Sequence, residues 1–177
     1  FQTIEGGAIV TADSEVAKKI KSMINFGFTS PFTSTFNGIN AKMSEFHAGM
    51  GLAVLDDIDY IFSERKKVWL KYFHEINAPV CYQKLTLDAS NNYHYFPIVF
   101  NNEIELLKIQ KLLLKSGFNA RRYFFPSLDT IGYFKISNKD QCSNSIDLSL
   151  KILCLPIFVG MNNDIQSKII GIINEAF

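Results

Sequence analysis

The sequence predicts a mixed α/β chain in two unequal parts. Three observations carry that reading. Short β-prone runs alternate with helical periodicity, a long apolar-periodic stretch lies between the parts, and only the C-terminal part holds enough elements to close its own core. Residues 80–177 read as a self-sufficient α+β body, whereas residues 1–30 supply one strand and one helix whose apolar faces need a sheet that this chain does not contain.

In order along the chain, Gly6-Gly7 precede a β-prone run over residues 8–11, and Asp13 or Ser14 then caps a helix marked by Val16, Ile20, Met23 and Ile24. Asn25-Phe26-Gly27 stops it. Residues 28–41, rich in Thr, Ser, Gly and Phe, read as an ordered loop without regular elements. From about residue 42 to 76, Phe46, Met50, Val54, Ile58, Ile61, Phe62, Trp69 and Phe73 recur at helical spacing with no Pro before Pro79. One helix of roughly 30 residues, about 45 Å long, is expected there, joining two bodies or lining an interface.

Beyond Pro79 the elements shorten: a strand at residues 93–100, a helix from Asn102 or Glu103 to Lys115 stopped by Ser116-Gly117, and a strand at 120–124. A loop with Pro126, a helix at 143–151, a strand at 153–158 and a helix at 164–176 capped by Asn162 or Asn163 complete the set. The expected division is 1–78, the end of a larger α/β domain with the long connecting helix, and 79–177, a small α+β domain.

Charge and cysteine content exclude several function classes. With 18 Lys plus Arg against 17 Asp plus Glu, no long-range field favours nucleic acid or an anionic membrane. The longest nearly apolar run, residues 152–161, contains Pro156 and falls short of the ~18–20 residues a membrane helix needs. Cys81, Cys142 and Cys154 have unrelated spacings, which fits free thiols in a reducing, cytoplasmic compartment. His47, His74 and His94 form no H-E-x-x-H, so no metal site is expected.

Two places suggest chemistry. Arg121-Arg122 beside Tyr123, Phe124 and Phe125 offers bidentate donors and flat rings, the means of holding a phosphorylated or ring-shaped ligand. In a strand the two arginines point to opposite faces, so one at most serves a given pocket. Asn40 leads into the long helix, where it reads either as its N-cap or as a donor to a phosphate.

The runs IEGGAIVTADSEVAKKI, GINAKMSEFHAGMGLAVLDDID, NARRYFFPSLDT and LCLPIFVGMNND, in this order and spacing, resemble the C-terminal half of the DegT/DnrJ/StrS family of pyridoxal-phosphate-dependent nucleotide-sugar aminotransferases. N-A-K-M-S-E leading into A-x-M-G-L-A is the most specific part. The resemblance implies the aspartate-aminotransferase type of fold, a homodimer, and amination of a nucleotide-linked keto-sugar with glutamate as donor; the form R-R-Y-F-x-P-S-L resembles the subgroup acting on dTDP-linked 3-keto or 4-keto 6-deoxyhexoses. The resemblance further implies the family's usual setting, surface-polysaccharide or antibiotic-sugar synthesis.

By the same resemblance, Asn40 binds the cofactor phosphate of the neighbouring subunit, and Arg121, Tyr123 and Phe124 lie on the substrate side. Many members carry His-Tyr where this sequence has Tyr123-Phe124. The Schiff-base lysine would fall two residues before Phe1, so no catalytic residue is assigned here, and Lys18, Lys19 and Lys21 do not match its motif. Phe1 is thus expected to follow a truncation or proteolysis point, or to begin the ordered part of a larger domain, and the chain alone is expected to be inactive. Two alternatives remain open: a pyridoxal-phosphate-dependent sugar dehydratase, with histidine in place of that lysine, and a non-catalytic dimerisation or binding module.

Overall fold

The computed structural model describes residues 2–123, 125–132 and 142–177. The chain forms two compact units, Phe1–Ile58 and Asp59–Phe177.

In the first unit, α1 (Ser14–Met23) starts where the sequence places it: the Asp13 carboxylate accepts from the Glu15 and Val16 amides. Its C-terminal end is closed by Gly27 at φ +77°, whose amide donates to the Ser22 carbonyl at 2.8 Å. The segment expected to be an irregular loop carries a small antiparallel hairpin, β1 (Phe28–Ser30) and β2 (Thr33–Ser34), turning at Pro31-Phe32. Residues 8–11, expected to be a strand, form no regular element and pair with no strand among the described residues. A β-prone run without a partner edge has nowhere to place its ladder hydrogen bonds.

The expected single helix over residues 42–76 is two helices, α2 (Glu45–Asp56) and α3 (Ile58–Glu75), interrupted at Asp57 with φ −101° and ψ 8°. The apolar spacing runs through the break, but Asp56 and Asp57 are poor helix formers that bond readily to nearby backbone.

The second unit is built on a three-stranded antiparallel sheet in the order β3 (Cys81–Tyr82), β4 (Phe96–Val99), β5 (Ile152–Leu155). Phe96 stands opposite Leu155 and Ile98 opposite Leu153, so one face gathers four large apolar side chains. These bury together with Val68 and Tyr72 of α3 and Ile76 just after it, Leu106, Ile109 and Leu113 of α4 (Glu103–Lys115), and Ile169, Ile170 and Ile173 of α6 (Asn163–Asn174). Between β4 and β5 also lies α5 (Ser143–Lys151). The expected caps are realised: Asn102 accepts from the Glu105 amide and Asn162 from the Asp164 amide. The strands are shorter than expected, 96–99 rather than 93–100 and 152–155 rather than 153–158.

Two polar side chains inside this core are matched. The fully buried Tyr72 donates its hydroxyl to the Pro156 carbonyl at 3.0 Å, and burial pushes its phenol well above the usual tyrosine value. The Gln166 amide, 1% exposed, donates to the Val68 carbonyl at 2.6 Å and so ties α6 to α3.

Candidate functional site

Within the first unit, Asn40 is placed by two glycines. Gly38 lies so close to the end of α1 that a Cβ there would meet the Gly27 nitrogen at 2.1 Å and the Met23 carbonyl oxygen at 2.6 Å. A Cβ on Gly27 would in turn meet the Phe36 carbonyl oxygen at 1.8 Å. Side chains at either position would push the loop off the helix. The approach lets Ile39 and Ala41 donate to the Met23 and Ile24 carbonyls, both at 2.9 Å, and leaves Asn40 bridged to Asn25.

The Asn40 side chain is exposed and makes no hydrogen bond among the described residues. It is not the cap of α2. Ser44 takes that role, accepting from the His47 amide while its hydroxyl meets His47 Nδ1 at 2.6 Å. The capping explanation of Asn40 is thereby removed, and its amide is left available to a ligand oxygen. Of the α1 lysines, Lys18 pairs with Glu15 at 2.7 Å and Lys19 lies over the Phe36 ring.

In the second unit the expected strand over residues 120–124 shows, among its described residues, a single rung. Arg121 exchanges both backbone hydrogen bonds with Cys154, at 3.1 and 2.9 Å, along the edge of β5, and the chain then turns at Tyr123.

The rung is enough to separate the two arginines. Arg122, with its side chain 12% exposed, pairs with Glu103 at 2.8 Å and lies 3.6 Å from the Phe125 ring centroid. Arg121 goes to the other side, where its Nη1 donates to the Tyr123 hydroxyl at 3.1 Å. There a cavity of about 420 Å³ is lined by Arg121, Tyr123, Tyr95, His94, Arg65 and Phe158, among others. Tyr95 and Tyr123 meet at 4.9 Å between ring centroids. Burial first, and then the Arg65 charge, hold His94 below its ordinary value, so its ring is neutral near neutral pH. Of the predicted substrate-side residues, Arg121 and Tyr123 therefore share one cavity wall, while Phe124 lies outside the described residues.

Sequence reasoning missed Arg65, Tyr95 and the glycine pair. Arg65 sits on a helix where its spacing reads as solvated, and its partners are backbone carbonyls, which leave no trace in residue type. The paired glycines on either side of a Phe-rich loop were the one available signal.

A profile of the DegT/DnrJ/EryC1/StrS aminotransferase family matches residues 1–174. The chain belongs to that family. It is 31% identical over 172 residues to dTDP-4-amino-4,6-dideoxy-D-glucose transaminase of Escherichia coli, covering 93% of this chain and 46% of that protein. Over 184 residues it is 25% identical to UDP-4-amino-4,6-dideoxy-N-acetyl-beta-L-altrosamine transaminase of Helicobacter pylori, covering 99% of this chain and 49% of the relative. The chain thus spans about half the length of the curated relatives it matches.

Among solved family structures, DesI crystallised in the presence of its TDP-sugar product superposes with a TM-score of 0.85 at 26% identity, over 98% of this chain and 45% of DesI. The Helicobacter pylori aminotransferase PseC superposes at 0.83 with 23% identity, over 99% of this chain and 49% of PseC, which establishes the shared fold. The α/β fold of the family's sugar aminotransferases is therefore that of this chain. No helix among the described residues is long and apolar enough to cross a membrane, and no cluster of metal-ligating side chains occurs among them.

Proposed function

We propose that this chain works as the C-terminal half of a pyridoxal-phosphate-dependent aminotransferase. The enzyme moves the amino group of glutamate onto the keto-sugar of a nucleotide-linked 6-deoxyhexose, with dTDP as the nucleotide, in a cytoplasmic homodimer. The observation that carries the reading is the cavity where the Arg121 guanidinium converges with the Tyr95 and Tyr123 rings. A delocalised cation beside flat polar rings matches a phosphorylated, ring-shaped substrate. The dTDP-sugar in the name of the Escherichia coli relative and the TDP-sugar product present with DesI support the same choice of nucleotide.

Asn40 suits the phosphate of the cofactor. Its exposed amide has no competing partner among the described residues, its backbone is fixed by the Asn25 bridge, and a short neutral donor orders little side chain on binding. Asn40 would hold the phosphate of the partner subunit's cofactor. Pyridoxal phosphate, when bound, supplies the electron sink that amino transfer requires. This chain's residues bind and orient around it: Asn40 at the phosphate, Arg121 and Tyr123 at the nucleotide-sugar. The lysine that carries the proton belongs to the half upstream.

Kinetics of the complete protein test the assignment. Arg121→Ala is expected to raise KM for the nucleotide-sugar by on the order of tenfold or more, the loss of a charge-assisted contact, while KM for glutamate stays within about twofold. Equal effects on both substrates would take Arg121 out of the sugar wall.

A further inference from the structure

Tyr95 owes its place in the cavity to a backbone that is not at rest. Tyr93 sits at φ +51°, a conformation that residues with a Cβ rarely adopt and that persists only where surroundings enforce it. Enforcement comes from two directions. Asn91 Oδ1 accepts from the Tyr93 amide at 2.8 Å and Asn92 Oδ1 accepts from the His94 amide at 3.0 Å, two successive turns made by side chains. From α3, Arg65 Nε donates to the Tyr93 carbonyl at 2.9 Å and its Nη2 donates to the His94 carbonyl. A guanidinium is suited to this task because its planar fork can grip two neighbouring carbonyls at once. The next residue, Tyr95, then meets Tyr123 in the cavity wall.

We infer that Arg65 is a positioning residue: through the Tyr93 and His94 carbonyls it holds Tyr95 against Tyr123 and so completes the wall that receives the nucleotide-sugar. The inference rests on the functional reading above. Arg65 also lines the cavity, but two of its three guanidinium nitrogens are spent on protein carbonyls, and through these its influence passes to Tyr95. Partial burial lowers the guanidinium's affinity for its proton, yet an arginine stays charged throughout the working pH range, so the grip is not a pH switch.

Two readouts test it in the complete protein. The first needs no activity. Trp69, the one tryptophan of this sequence, meets the Tyr93 ring edge to face at 6.0 Å. In difference spectra against the Trp69→Phe protein, Arg65→Gln is expected to shift Trp69 emission to longer wavelength and increase its quenching by acrylamide. Arg65→Lys, which cannot fork, is expected to give a smaller shift and replaces the Gln variant should that fail to fold.

The second is kinetic. Arg65→Gln is expected to raise KM for the nucleotide-sugar on the order of tenfold with KM for glutamate unchanged, and the Arg65→Gln, Tyr95→Ala double variant is expected to be no worse than Tyr95→Ala alone. Unchanged Trp69 fluorescence, equal effects on both substrates, or additive effects of the two substitutions would each overturn the inference. Were the unsubstituted protein unable to bind or aminate a nucleotide-linked keto-sugar, the role in substrate binding would fall with the functional reading; a Trp69 shift in that case would show that the anchor itself exists.

Discussion

Asn40 and Cys154 are the residues whose behaviour is set most directly by their surroundings. An exposed amide donating to a charged oxygen is worth roughly 1–3 kcal/mol, so Asn40→Ala is expected to weaken cofactor retention by about 5- to 150-fold without altering the α2 cap, which belongs to Ser44. Equilibrium dialysis against pyridoxal phosphate measures it, and an unchanged affinity would remove Asn40 from the phosphate site. Cys154 is buried under β4 and the Arg121 rung, and burial pushes its thiol from 9.0 up to about 11. Its neutral form is favoured by folding, so its contribution is fully present below pH 9 and is lost as pH rises toward 11. Urea unfolding at pH 8 and pH 10.5 is expected to show a steeper loss of stability in the unsubstituted protein than in Cys154→Ala, by up to about 2 kcal/mol. Equal slopes would contradict the burial argument.

At the scale of elements, the close contact of Gly38 with the end of α1 makes a sharp contrast with Gly49 on α2. A Cβ at Gly38 collides with backbone, which cannot swing aside, whereas one at Gly49 meets nothing within 4 Å. Gly38→Ala is expected to destabilise by about 1–3 kcal/mol, and Gly49→Ala to stabilise by about 0.5–1 kcal/mol through helix propensity, both measurable by thermal or urea unfolding. Opposite signs from substitutions with the same chemistry would isolate the steric cause. Caps were the most legible part of the sequence, because Asp13, Asn102 and Asn162 act on amides two or three residues away and the signal is local. The opposed faces of Arg121 and Arg122 were legible for a similar reason, as strand alternation survives even in a one-residue rung. The hairpin at β1 and β2 and the two-residue β3 were not, since strands this short carry no period. Nor was the break at Asp57, where apolar spacing continues across residues that the backbone treats as a stop.

For the whole molecule, the two units differ in how much they bury. Among the described residues, the buried apolar core, from Val68 to Ile173, lies in the second unit, while Val10, Phe32 and Phe46 in the first are 94%, 97% and 89% exposed. Large exposed apolar side chains in one unit accord with a reading in which an upstream half and a second subunit cover them. The same reading leaves the proton-carrying lysine to that upstream half and the phosphate donor and sugar wall to this chain. Its most direct test is to incubate the complete protein with pyridoxal phosphate, a dTDP-linked 4-keto-6-deoxyhexose and glutamate carrying an isotopically labelled amino group, then weigh the recovered sugar nucleotide. The account predicts that the labelled nitrogen is found on the sugar; a sugar that has lost a hydroxyl without gaining nitrogen, or that returns unchanged, would contradict it.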